Sequence, residues 1–114
     1  MLAFRNLLIL IFVAILFYTG AVVAQHGFNL LPVFFGDIAR MGWPGQFNLD
    51  FLCLLTLSGL WVAWRHRFSG AGVALGLLAL FGGALFLSVY LLVESRRAGG
   101  DIARLLLGRQ QAGP

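Results

Sequence analysis

Few side chains in this sequence can do acid–base or ligand chemistry, and most stand beside apolar runs. Asn48 and Asp50 open one such run. A carboxylate inside a membrane helix is costly and by default marks a functional contact. A simpler role fits equally: Asn48 caps the free N–H groups of a helix starting near residue 47. Asp50 then meets the positive end of its dipole within the first turn. Asp50 also shares a helical face with Cys53 or Leu54, Leu57, Trp61 and Trp64, which could line a groove for an amphiphile. Tyr90 closes the third apolar run, where its hydroxyl needs an acceptor on a neighbouring helix. His26 follows the first run, and Asp37 interrupts the segment after it. His66 lies between Arg65 and Arg67, whose charges disfavour its protonation. Glu94 and Arg97 are spaced as an ordinary surface pair of small energetic weight.

These groups form no recognisable catalytic set. No phosphate-binding glycine loop, nucleophile elbow or HExxH motif occurs. Cys53 is the sole cysteine, so no intramolecular disulfide and no zinc spacing exist. The sequence therefore predicts no catalytic residue, no cofactor and no metal, and leans away from an enzyme.

The elements that would hold these groups follow from composition. Of 114 residues, 61% are hydrophobic and 11% charged. A small soluble domain needs more charge than that to cover its surface. The expected fold is all-α, a single membrane domain over 1–114 with three spans at residues 7–24, 47–64 and 71–93. The first span could instead be a signal peptide cut after Ala24, but its apolar run is longer than such segments carry. Residues 30–42 are too short and too charged to cross. They read as an amphipathic helix in the interface, ended by a turn at Trp43, Pro44 and Gly45. A short amphipathic tail helix is expected over 101–107, capped by Asp101 and stopped by Gly108.

Trp43, Trp61 and Trp64 mark aromatic belts, with Arg65, Arg67, Arg96 and Arg97 as interfacial anchors. All eight basic residues are arginine, and all flank the apolar runs. The net charge of +4 is thus anchoring charge, and no nucleic-acid partner is expected. Gly72, Gly76, Ala79 and Gly83 form a small-residue stripe that suits close packing against span two or a second copy. With three crossings, Arg5, Arg65 and Arg67 face Arg40, Arg96, Arg97, Arg104 and Arg109 across the membrane. That near balance leaves orientation open, with Arg5 and the Arg65/Arg67 loop favouring a cytoplasmic amino terminus. Gly36–Arg40 recurs letter for letter at Gly100–Arg104. Three crossings would put both copies at one face. The pentapeptide is then either reuse of a good helix start or a paired docking site.

Residues 43–51, then 60–65, then Tyr90-Leu91-Leu92 and residues 105–108 resemble a group of short bacterial inner-membrane proteins that carry a domain of unknown function. The resemblance implies three retained spans and no particular activity. From the residues, three function classes remain. The first is an accessory or self-associating subunit of a membrane assembly, with the lipid bilayer and a homo-oligomer or complex as partners. The second is an oligomeric carrier of an amphiphilic or ionic solute. The third is a lipid- or isoprenoid-modifying enzyme.

Overall fold

A computed structural model of the chain describes residues 2–108. Five helices follow one another: α1 Leu2–His26, α2 Leu30–Ala39, α3 Trp43–Arg65, α4 Gly70–Arg97 and α5 Ile102–Leu107. No strand occurs among the described residues. By residue count and composition alone, three helices, α1, α3 and α4, are long and apolar enough to cross a membrane. The chain is accordingly a multi-pass membrane protein.

The start of α3 differs from the expected one. Trp43, Pro44 and Gly45 are its first turn, not a preceding turn. The physical reason is Pro44, which has no N–H to satisfy and a fixed φ suited to the first helical turn. The actual turn is at residues 40–42, where Met41 adopts φ +60°. α2 then folds back along the first turns of α3. Gly45 meets the Asp37 and Ile38 backbone, so closely that no Cβ would fit. Asn48 Nδ2 donates to the Phe34 carbonyl oxygen at 3.1 Å. Rising along α3 therefore means descending along α2. Leu30, Leu31, Val33 and Phe35 of α2 stay exposed.

The small residues of α4 face α3. A Cβ at Gly76 would lie 2.7 Å from the Gly59 carbonyl oxygen, and one at Gly59 would lie 2.8 Å from that of Gly76. Such backbone approach is what small residues permit between membrane helices. Gly83 is more than a spacer. It adopts φ +59°, ψ −142° and interrupts the helix. Gly72 lies against the His66 side chain. Tyr90 Oη is 2.6 Å from His66 Nε2. A straight helix would hold residues 72 and 90 about 27 Å apart. The segment 84–97 thus doubles back on 70–82, and Val62, Ala79 and Tyr90 form the buried core with Leu75, Phe86 and Leu87 around them.

α1 joins this unit through its first half. Leu8 is buried, and Arg5 bonds Ser95 of α4. Residues 13–22 are exposed throughout.

Candidate functional site

The ends of α3, α4 and α5 and the start of α1 meet in one polar cluster. Arg65 is the last residue of α3 and only 2% exposed. Its Nη1 lies 3.2 Å from Glu94 Oε2 and donates to Tyr90 Oη at 3.0 Å. Nε donates to the Leu105 carbonyl at 2.5 Å and Nη2 to the Arg104 carbonyl at 3.1 Å. Trp61 Nε1 donates to the Leu106 carbonyl at 3.1 Å. These three carbonyls belong to the last turn of α5, where backbone donors run out: only that of Arg104 also accepts a backbone N–H, from Gly108 at 2.9 Å. A six-residue helix is too short to persist alone. Arg65 and Trp61 cap it, and Gly108, at φ +86°, fits tightly against the Arg65 backbone. Beside this, Arg5 Nε donates to Ser95 Oγ and Nη2 to the Ser95 carbonyl, both at 3.2 Å.

The Glu94 side chain is 6% exposed and spans two arginines, with Arg97 Nη1 at 3.3 Å from Oε1. No buried side-chain nitrogen or oxygen among the described residues lacks a partner. The cluster is saturated, as a buried ionic group must be if it is to hold structure together. The expected surface role of the Glu94–Arg97 pair is corrected by this burial. So is the role of Arg65 as an interfacial anchor: the return of α4 encloses its guanidinium.

His66 caps the far end of the chain of bonds. Burial pushes its pKa below the ordinary 6.5, and the Arg65 charge adds to the shift. Glu94 opposes it, and Arg97 adds slightly. A neutral His66 suits the geometry. Arg65 donates to Tyr90 Oη, Tyr90 O–H donates to Nε2, and the ring proton then sits on Nδ1. Protonation would put a second donor against the hydroxyl. Because the folded pKa is depressed, its stabilising contribution is complete above the unfolded value near 6.5 and is lost as pH falls through the folded one. Detergent-unfolding midpoints are expected to drop from about pH 7 to about pH 5, and His66→Gln to flatten that slope. An equal slope in the variant would remove His66 as the cause.

The other sequence-derived positions are scattered. Asn48 bridges α3 to α2 and caps nothing, and Asp50 lies in the second turn of α3, outside the first-turn dipole. Both differences follow from the earlier helix start at Pro44. Asp37 is half-buried and pairs with Arg40 at 3.3 Å. His26 ends α1, exposed, beside an open crevice of about 880 Å³ lined by Tyr18, Thr19, Val22, Val23 and Val33. Gly72, Gly76, Ala79 and Gly83 are all buried. Trp43 is exposed at the start of α3, and Trp64, Arg67 and Arg96 are exposed at the cluster end. Trp61 turns from the outward face to α5.

The repeated pentapeptides do not share a face. Asp37 touches Gly45 at one end of α3, while Arg104 meets Arg65 at the other. About 30 Å of helix separates them. This excludes one paired docking site. Each copy does form its own Asp–Arg pair, and Asp101 also caps α5 by accepting from Ala103 N–H at 3.0 Å. Among the cluster residues, Ser95 went unread in the sequence and Glu94 was read only as a surface partner of Arg97. Their one signal was polarity at the end of an apolar run.

No protein-family model matches this chain, and no characterised protein or solved structure matches it.

Proposed function

We propose that this is a small bacterial inner-membrane protein that serves as an accessory or self-associating subunit of a membrane assembly. The observation that carries the reading is Asp50. It lies two and a half turns from Gly59, about 180° around the helix axis, on the α3 face opposite α4. It is exposed, about 10 Å from the start of the helix, with exposed Leu54 and Leu57 below it. That depth is inside a hydrocarbon layer about 30 Å thick. A carboxylate facing lipid there is costly, and a facing helix with a donor relieves the cost. The polar groups inside the fold are already used in holding helices together, so the outward face of α3 is where a partner helix belongs. The resemblance to short bacterial inner-membrane proteins supports the membrane location alone. α2 and α5 then sit at opposite interfaces as amphipathic elements.

Cys53 lies on the same outward side of α3 and is exposed, so it reports on this face without substitution. In mild detergent the purified chain should show a mass above that of a monomer. Asp50→Leu should weaken its association about tenfold while leaving helix content unchanged. A chain that stays monomeric in detergent and shows no Cys53 cross-linking in native membranes, to itself or to a neighbour, would overturn the proposal. The carrier reading draws on one observation, the crevice of about 880 Å³ whose lining combines apolar Val22, Val23 and Val33 with polar Tyr18, Thr19 and His26.

A further inference from the structure

Both ends of α4 sit at the same end of α3. Gly72 lies against His66, and Glu94 is bound to Arg65. Residues 70–82 and 84–97 are each about 20 Å long, short of the roughly 30 Å that a crossing requires. Irregular backbone at membrane depth is tolerated where protein encloses it. Gly83, at the reversal, is buried against Phe51 and Leu55.

We infer that α4 is a re-entrant helical hairpin: it enters and leaves on one side, the chain crosses only through α1 and α3, and its amino terminus and α5 share a face. The inference rests on the membrane reading above. Burial along α1 supports it independently. Phe4, Arg5, Leu8, Ile11 and Phe12 are at least partly buried, and the exposed stretch begins at Val13. An α4 that crossed fully would cover α1 along its whole length. A hairpin of half depth covers only the first half.

The arginines then fall into place. A three-crossing path divides them almost evenly. In the re-entrant path Arg5, Arg65, Arg67, Arg96, Arg97 and Arg104 gather at one end, six of the seven described arginines. Arg40 alone is at the other, paired with Asp37. Arg109 lies outside the described residues. Positive charge near span ends is retained in the cytoplasm, and acidic residues count for little. The cluster end is therefore cytoplasmic, with the amino terminus and α5 both inside and the α1–α2 connection outside.

Cysteine labelling tests this on the full chain in a Cys53→Ser background. Phe28→Cys, Phe68→Cys and Ala103→Cys place single thiols in the α1–α2 connection, the α3–α4 connection and α5. All three positions are exposed. A membrane-impermeant maleimide should label Phe28→Cys in intact spheroplasts, and the other two only in inverted vesicles. Labelling of Ala103→Cys on the Phe28 side, opposite Phe68, would overturn the hairpin. Phe68 and Ala103 together on the outside would overturn the arginine assignment and keep the hairpin. Release of the protein by alkaline carbonate would overturn the membrane reading itself, and the hairpin with it.

Discussion

Glu94→Ala is expected to cost about 3–5 kcal/mol, the largest loss from any single side chain here. The carboxylate is bound to Arg65 at 3.2 Å in a nearly dry site. An arginine cannot shed its proton to escape burial. Without Glu94, Arg65 keeps one hydroxyl and two carbonyls as partners but no counter-charge. The guanidinium must then leave, and α5 loses both of its Arg65 donors when it does, keeping only Trp61 as a side-chain cap. Thermal unfolding in detergent reads the stability loss, and hydrogen exchange at residues 102–107 reads the release of α5. Arg97→Ala is the control. Arg97 shares the same carboxylate but is 55% exposed, so its loss is expected to cost under about 1 kcal/mol. The double variant Arg65→Met, Glu94→Leu should recover most of the helix packing, because it leaves no orphaned charge. It should not recover α5, because the Leu105 carbonyl then loses its Arg65 donor and the Arg104 carbonyl keeps only the Gly108 N–H. If Glu94→Ala unfolds no more readily than Arg97→Ala, the pair does not hold the fold.

Local signals made the helices legible in the sequence. Three apolar runs, a small-residue stripe at the helical period and the Asp101 cap are properties of neighbouring residues. Pro44 was a legible signal too, since proline favours a helix start over a helix end. Read that way, it moves Asn48 and Asp50 away from the cap positions. The Arg65–Glu94 pair is different in kind. Its members are far apart in the chain, and an arginine after two belt tryptophans reads as an anchor. Whether it faces water or protein depends on the path of α4. That path is decided at Gly83, where a glycine serving φ +59° looks the same in sequence as one serving close packing. The repeated pentapeptide teaches the same point. Identical letters make the same Asp–Arg pair twice, yet tertiary contacts put one copy at the end of α2 and the other at the start of α5.

Gly83→Ala tests what holds the reversal, through two opposing costs. The backbone at φ +59°, ψ −142° is open to glycine and costs a residue with a Cβ about 1–3 kcal/mol. The added Cβ would also lie 3.3 Å from Phe51 Cζ and 3.4 Å from Leu55 Cδ2, so both side chains must yield slightly. The chain's way out is a continuous helix through residue 83. Straightening, however, pulls Glu94 from Arg65 and Tyr90 from His66, and breaking the buried pair alone costs about 3–5 kcal/mol. The strain is the smaller term. Gly83→Ala is therefore expected to keep the hairpin, with stability lowered by about 1–3 kcal/mol in detergent unfolding. Gly20→Ala, at an open position in α1, should be neutral or slightly stabilising. Adding Glu94→Ala to Gly83→Ala removes the opposing term, and α4 should then straighten. The readout is a change of side: a thiol at position 103 becomes labelled from outside in intact spheroplasts. A single Gly83→Ala variant that already moves position 103 would show the backbone strain outweighing the pair. A double variant that leaves it in place would show that the core of Val62, Ala79 and Tyr90 suffices to keep the hairpin closed.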